Sequence, residues 1–520
     1  MAALLAGGFL LAGIAVPLAA LIARPGASAV LTALADLTSR PGFAATLGGT
    51  LLQATLSTIL TLALGLPAAL LFARYAFPGK SVLKAVLTVP FVMPTVVAGA
   101  GFLSLVGPSG LLGVNGVDTL SLLVVTHAFY NIAIVVRVVG GFLEANAATL
   151  QAAAATLGAN AWRTARRVPL PLAAPTVLAA GVLVFIFSFT SFGMVLIVTP
   201  GGAWDTLEVE IYRNLSRLLR VDRAVALALV QLAAVMLLAG VYTALQRRSA
   251  VPLAASVPPR RPRGREGWVL AALLLPPLML TAAPLVSLAW QAFHPPGSSG
   301  LTLSGFQAAF APSRFLGVAS AGDAIFNSLR LAAASALVAV PLGLAFAVAV
   351  VRGRARLLDR ASLLPLAVSA VTLGLGVLLA YPQLAGRFWG LALAHALIAT
   401  PFVARTLLPS LRSLPASRLQ AAATLGAGPW RRLMRVDLPA LRPALAAGGG
   451  FAVAVSLGEF GAALVLTRPE LATLPVAIYQ RLARPGAESY AAALALALML
   501  LLLTGLVMAA VDRLGGRGEW

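Results

Sequence analysis

Two stretches of this chain set the same residue types at the same spacing. The first runs Gln151-Ala152-Ala153-Ala154-Ala155-Thr156-Leu157-Gly158, passes Trp162, Arg163, Arg166 and Arg167, and ends Val168-Pro169-Leu170-Pro171. The second runs Gln420-Ala421-Ala422-Ala423-Thr424-Leu425-Gly426, passes Trp430, Arg431, Arg432 and Arg435, and ends Val436-Asp437-Leu438-Pro439. An Ala-rich run has high helix propensity, and a Gly after it can take the left-handed turn that stops the helix. A basic amphipathic segment follows and stops at Leu-Pro. Each stretch therefore predicts a compact helix-turn-helix whose chemistry is docking. A single copy would equally fit a helix lying flat on anionic lipid, held by Arg and Trp. Two copies with matched Gly and Leu-Pro favour a knob presented to a partner.

The other chemistry-bearing residues are few. Glu459 stands inside an apolar run, where a carboxylate costs several kcal/mol unless it faces a wet cavity or a partner. It is either a contact for a cationic solute or a gate, or else a helix cap or ion-pair partner. Its first-half counterpart is Ser191, so any such role is asymmetric. His127 and His395 read as interhelical hydrogen-bonding groups, and Arg137 and Arg405 as side chains snorkelling to an interface. With no Cys and three His, the chain offers no thiol nucleophile, disulfide framework or His-rich metal centre. No metal or bound cofactor is expected, and no catalytic constellation is visible.

The elements that must position these residues are membrane helices. Of 520 residues, 60% are hydrophobic and 10% charged, with a mean hydropathy of +0.94; a soluble chain would carry roughly 25% charged residues. Apolar runs of about 20 residues recur along the whole length. About twelve spans are expected, near 2–23, 46–73, 84–106, 119–143, 173–198 and 222–245, then 268–291, 324–351, 360–381, 388–411, 440–466 and 489–512. The net charge of +22 does not mark a nucleic-acid binder, because the basic residues lie between apolar runs and form no single stripe. Lys and Arg instead collect in loops that are cytoplasmic if both termini are inside. Ala27-Ser28-Ala29 resembles a signal-peptidase site, but the run before it lacks a basic n-region and is too long for an h-region, so it is read as a helix.

The chain repeats itself. At an offset of 268, His127 meets His395, Arg137 meets Arg405, Gly158 meets Gly426, and Leu170-Pro171 meets Leu438-Pro439. Phe192-Gly193 meets Phe460-Gly461, and Leu207, Ile211 and Tyr212 match Leu474, Ile478 and Tyr479 one residue out of that register. The organisation expected is a first half at 1–248 (core 46–245), a Pro- and Arg-rich cytoplasmic linker at 249–267, and a second half at 268–520 (core 324–513). Six spans per half make the repeat parallel, related by a pseudo-two-fold axis along the membrane normal. The fold class is thus an all-α polytopic membrane protein of two six-helix repeats. Two parallel six-span halves also describe secondary transporters driven by an ion gradient, although that architecture gives no reason for the duplicated loop.

The duplicated stretch resembles the coupling loop of ATP-binding-cassette importer permeases, whose pattern is Glu-Ala-Ala, three residues, Gly, nine residues, Ile, one residue, Leu-Pro. Ala152, Ala153, Ala154, Gly158, Val168, Leu170 and Pro171 fit that spacing, as do Gln420, Ala421, Ala422, Gly426, Val436, Leu438 and Pro439. The motif's Glu is replaced by Ala152 and Gln420, which removes any charge-based contact at that position. The resemblance implies a type I importer permease in the bacterial inner membrane, with no catalysis of its own. Its implied partners are a homodimer of cytoplasmic ATPase subunits, which use ATP and Mg²⁺, and an extracytoplasmic substrate-binding protein. Phe185-Ile186-Phe187-Ser188-Phe189-Thr190-Ser191-Phe192-Gly193, Thr206-Leu207-Glu208-Val209-Glu210-Ile211-Tyr212 and His127-Ala128-Phe129-Tyr130-Asn131 are similar to thiamine importer permeases, with iron(III) importer permeases next. Ser456-Leu457-Gly458-Glu459-Phe460-Gly461-Ala462 is shared more broadly among importer permeases. On this resemblance Ser188, Ser191, Phe192, Gly193, Ser456, Glu459, Phe460 and Gly461 are candidates to line the translocation path. The segments 204–220 and 470–485 are read as short amphipathic helices on the outer face, where a binding protein could dock.

Overall fold

A chain dissolved in lipid has to satisfy its backbone polar groups internally, and this one does so with helices. The computed structural model describes residues 2–39, 41–145, 169–248, 259–311, 317–353, 358 and 368–514. Among them nine helices are long and apolar enough to cross a membrane, or eleven if each of two bent pairs is one span. The third expected span is such a pair, Lys80–Val92 and Thr95–Val106, turning through 108°. Met93-Pro94 makes the turn: Pro disfavours helical backbone at the residue before it, and Met93 and Pro94 are both extended. The ninth expected span is described only as Ala370–Ala380. The first run forms the helix Ala2–Ala23, as expected.

The described residues group into two compact units, and these cut across the order of the chain. One holds Met1–Ala35, Ile211–Ala226 and Thr302–Trp520; the other holds Asp36–Glu210 and Leu227–Leu301. Each unit therefore takes the first helix of the opposite sequence half. In the unit containing the C-terminus, Tyr381 Oη donates to Ala12 O at 2.8 Å and Arg24 Nε donates to Leu379 O at 3.0 Å. In the other unit, Ser104 Oγ donates to Ser287 Oγ at 2.9 Å and Gln291 Nε2 donates to Ser109 O at 2.8 Å.

Both exchanged helices are admitted by a glycine. A Cβ on Gly376 would lie 3.0 Å from Pro17 Cβ, and one on Gly101 would lie 3.0 Å from the Pro284 carbonyl oxygen. Small residues let membrane helices approach until their backbones touch, which supplies the dispersion contact that lipid cannot. The same matching runs through the packing inside each unit. Gly65 abuts Val135 and Gly343 abuts Val403; Gly99 abuts Ile197 and Gly374 abuts Val465. Asp118 N donates to Val198 O at 3.0 Å, and Gly386 N donates to Leu466 O at 2.9 Å. The internal repeat is thus a repeat of contacts as well as of residues.

The core of the C-terminal unit is built from Ala339, Ala347, Ala396, Ala399, Val403, Leu407 and neighbours on the Ala321–Val351, Phe388–Arg412 and Arg442–Gly458 helices. In the other unit Ala69, Val135, Val139, Leu143, Ala173, Ala180 and Val184 do the same. Of the linker's described residues, 259–264 are not helical and 265–267 open the Arg265–Phe293 helix. The linker's Arg260 bridges the segment after the Pro41–Arg74 helix: Ala76 N donates to Arg260 O at 2.9 Å and Arg260 N to Arg74 O at 3.2 Å. The Arg260 guanidinium lies 5.0 Å from the Tyr75 ring centre and forks onto Glu266.

Gly101→Val or Gly376→Val should lower stability by about 1–3 kcal/mol through overpacking against a proline. Gly141→Val, with nothing within 4 Å, should not. Thermal unfolding of the three purified variants in one detergent checks this, and equal melting of all three would refute the glycine contacts.

Candidate coupling loop and translocation path

The second duplicated stretch folds as its residues dictate. Ala416–Thr424 is a helix that stops at Leu425, and Gly426 follows with φ +69°. Gly426 N donates to Ala423 O at 3.0 Å and Ala427 N to Ala422 O at 2.9 Å, the paired bonds of a Schellman end. A second helical segment, Trp430–Ala440, meets Arg442–Gly458 at 78°, and its middle turn Leu433–Asp437 is π-helical. Leu425, Trp430 and Met434 are exposed, and Arg431 and Arg435 stand among them. Gln420, Ala421, Gly426 and Pro439 are exposed, Val436 and Leu438 half-buried, and Ala422 buried. An apolar patch edged by Arg is a docking surface by composition. In the first copy Ala152, Ala153, Ala154, Gly158 and Val168 lie outside the described residues; Leu170 and Pro171 fall in the first turn of the Pro169–Phe189 helix.

One residue inside this knob escaped the reading of the sequence. Asp437 is fully buried, and its two carboxylate oxygens accept from Nη1 and Nη2 of Arg352, the residue that ends the Ala321–Val351 helix. A charge between Val436 and Leu438 was visible, but its partner is 85 positions away and no local signal names it.

The fifth span of each half is broken. Pro169–Phe189 ends, Thr190-Ser191-Phe192 crosses a gap, and Gly193–Val198 resumes. Likewise Arg442–Gly458 is followed by Glu459-Phe460 and then Gly461–Leu466. The eight path candidates all fall at or beside these two gaps. Ser188 is buried: its carbonyl accepts from Gln53 Nε2 at 2.8 Å and from Ser191 N at 3.4 Å, and its Oγ accepts from Asn131 Nδ2 at 3.2 Å. Ser191 O accepts from Thr206 Oγ1 at 3.3 Å. Ser456, the counterpart of Ser188, has its Oγ 2.9 Å from His395 Nδ1, while His127 Nδ1 lies 3.4 Å from Ser57 Oγ. Both histidines thus face hydroxyl groups, as interhelical hydrogen-bonding residues should. Phe192, Gly193, Phe460 and Gly461 are buried.

Glu459 is backbone-bound. Its Oε1 accepts from Ala462 N at 2.8 Å, which caps the helix Gly461–Leu466. Of the two roles open to it from the sequence, this geometry supplies the cap. Next to it Phe460 meets Tyr479 edge to face at 5.5 Å.

Tyr479 lies on one of two short helices, Leu207–Ser216 and Leu474–Leu482, which occur where 204–220 and 470–485 were expected to be amphipathic. Both are more deeply set than a docking surface requires: Leu207, Glu208, Val209 and Ile211 are buried, as is every residue from Leu474 to Ile478. Glu208, read from sequence as an outer-face acid, accepts from Gln231 Nε2 in the interior. The N-terminal N–H of each helix is received by a hydroxyl of the second span in its half: Leu207 N donates to Thr50 Oγ1 at 3.1 Å and Leu474 N to Ser328 Oγ at 2.8 Å. Burial and the nearby Tyr479 push the Tyr212 phenol up, so these repeat-equivalent tyrosines are neighbours. The exposed part of the first segment is 216–220, where Leu218 and Leu219 stand between Arg217 and Arg220. Among the described residues no group of His, Cys, Asp or Glu could hold a metal ion.

Two stretches, residues 61–251 and 339–517, match the family described as binding-protein-dependent transport system inner membrane component. The thiamine transport system permease protein of Brucella abortus (strain 2308) is 27% identical over 492 residues, covering 89% of this chain and 86% of the relative. That of Escherichia coli (strain K12) is 27% identical over 496 residues, covering 89% and 88%. The sulfate transport system permease protein of Escherichia coli (strain K12) is 35% identical over 222 residues, covering 41% of this chain and 80% of the relative.

Glu459→Gln keeps an acceptor for Ala462 N and removes the charge, whereas Glu459→Ala removes both. The cap predicts a loss of about 1 kcal/mol for Ala and little for Gln. Melting temperatures of the two variants decide it; equal losses would show that the charge, and not the cap, is what matters.

Proposed function

The chain belongs to the binding-protein-dependent transport system inner membrane components, and from that premise we propose that its cargo is thiamine. It is a multi-pass inner-membrane permease of an ATP-binding-cassette importer, a translocation subunit with no reaction of its own. One observation carries the choice of cargo: thiamine permeases match over 89% of this chain and 86–88% of their own length, whereas the sulfate permease matches 41% of this chain.

The halves lie at 1–248 and 268–520, joined by the linker 249–267, and each unit takes the first helix of the opposite half. Ser188, Ser191, Phe192 and Gly193 in the first half, and Ser456, Glu459, Phe460 and Gly461 in the second, are the residues assigned to the translocation path. The coupling loops at 152–171 and 420–439 face the cytosol with both termini, and each docks one subunit of an ATPase homodimer that consumes ATP and Mg²⁺. The exposed Leu425, Trp430 and Met434 support this for the second knob. Thiamine arrives on a binding protein, for which Leu218 and Leu219 offer an exposed apolar contact edged by Arg. The cargo carries a planar thiazolium cation, and the aromatic pair Phe460 and Tyr479 suits it.

Labelled-thiamine uptake in a host lacking its own thiamine importer, given this chain with its ATPase and binding protein, tests the proposal. ATP-dependent accumulation is expected; none from a complex shown to be assembled would retire thiamine and make ferric iron the next cargo to try. In the same assay Gly426→Val, which forces a branched side chain into left-handed backbone, should cut uptake by about tenfold. Gly428→Ala, with open space around it, should leave uptake within about twofold.

A further inference from the structure

The second coupling loop is tied by a buried ion pair to a helix whose far end holds the Leu474–Leu482 helix, and that helix packs on Phe460 at the broken fifth span. We propose that Arg352 and Asp437 form a strut that makes the second coupling loop and the Ala321–Val351 helix move as one body, carrying the ATPase stroke to Phe460. This rests on the reading of the chain as an importer permease.

The contacts can be followed residue by residue. Asp437 closes the π-helical turn Leu433–Asp437 and is fully buried, held by both terminal nitrogens of the Arg352 guanidinium. Separating the loop from the helix would leave a buried carboxylate without its counter-charge, which is far costlier than breaking an exposed pair. Arg352 ends a helix of 31 residues, about 46 Å long at 1.5 Å per residue. Near its other end Asn327 Nδ2 donates to Glu470 O at 3.0 Å and Ala472 O at 3.1 Å, and Ser328 Oγ accepts from Leu474 N at 2.8 Å. Those bonds hold the start of the helix Leu474–Leu482, and Tyr479 on that helix packs edge to face on Phe460 at 5.5 Å. Every link is polar or aromatic and specific in geometry, which distinguishes the chain of contacts from mere proximity.

Among the described residues the first half shows no such strut. At the repeat offset of 268, Pro169 stands where Asp437 does. Its loop root is tied instead through Glu144, 3.0 Å from Lys84 Nζ and 3.6 Å from Lys80 Nζ, with these side chains 22–33% exposed. A partly hydrated lysine pair is a looser link than a buried guanidinium fork. The ATPase stroke therefore enters the two halves unequally, and the second half leads.

The chain contains no cysteine, so two can be introduced for spin labels at Leu425 on the knob and Leu337 on the helix, both exposed. With the assembled complex in nanodiscs, the distance between the labels should be the same without nucleotide and with ATP trapped. In Asp437→Asn the two states should differ. A distance that shifts in the chain with the pair intact would overturn the strut, whatever the cargo. Thiamine uptake by Asp437→Asn should fall about tenfold while the partner still hydrolyses ATP, Glu144→Gln should cost less, and the exchange Arg352→Asp with Asp437→Arg should recover most of the loss. Full uptake by Asp437→Asn would also overturn it. Absence of thiamine uptake by the unaltered complex would count against the cargo alone, since the label distances do not depend on it.

Discussion

A helix that breaks inside a bilayer exposes N–H and C=O groups to a solvent that cannot bond them, and the organisation of this permease follows from how it meets that constraint. Both fifth spans break, at 190–192 and at 459–460. At the first gap the freed Ser188 carbonyl is taken by Gln53 from the second span. At the second, the Glu459 carboxylate turns back onto Ala462 N. Each repair fixes a gap in position and draws a neighbouring polar residue to it. Two of the eight path candidates, Ser188 and Glu459, thus take part in these repairs.

Close packing by glycine does the complementary work. Lipid gives no hydrophobic drive for helices to associate, so association depends on intimate contact. Gly65 and Gly343 bring the second span onto the fourth in their respective halves, and Gly101 and Gly376 bring in the exchanged first helices. These matched contacts leave little freedom within each unit. Once the second, third, fourth and first-exchanged helices are locked backbone to backbone, motion has to be taken up by bodies rather than by single side chains.

Much of this was legible in the sequence, and the remainder was hidden for identifiable reasons. The repeat from His127 to Tyr212 announced itself because one register holds it, and the Gly426 turn followed from an Ala-rich run meeting a glycine. The short helices 207–216 and 474–482 were expected, but their depth was not. Alternation of apolar and polar residues records amphipathicity and says nothing about whether Glu208 faces water or Gln231. The exchange of the first helices was invisible because Gly101 and Pro284 are far apart in the chain and the apolar pattern is alike for any neighbour. Glu459 was noticed for its charge, and only coordinates could choose the cap, since that role depends on where the helix stops. Asp437 was passed over because its partner lies on another helix.

The repeat is faithful in its scaffold and unfaithful in its polar groups, and that division has a physical logic. Glycine contacts, the hydroxyl bonds to Leu207 and Leu474, and the backbone bonds of Val198 and Leu466 recur in both halves. The groups nearest the breaks do not: Ser188 is met by Asn131 but Ser456 by His395, and Ser191 stands opposite Glu459 in the register. Fusing the halves into one chain lets each residue beside a break change independently while the glycine contacts keep the frame unchanged. The same freedom explains how one coupling loop could acquire a buried aspartate while its twin kept a proline. The frame tolerates the difference because the locked helices, and not the loops, hold it together.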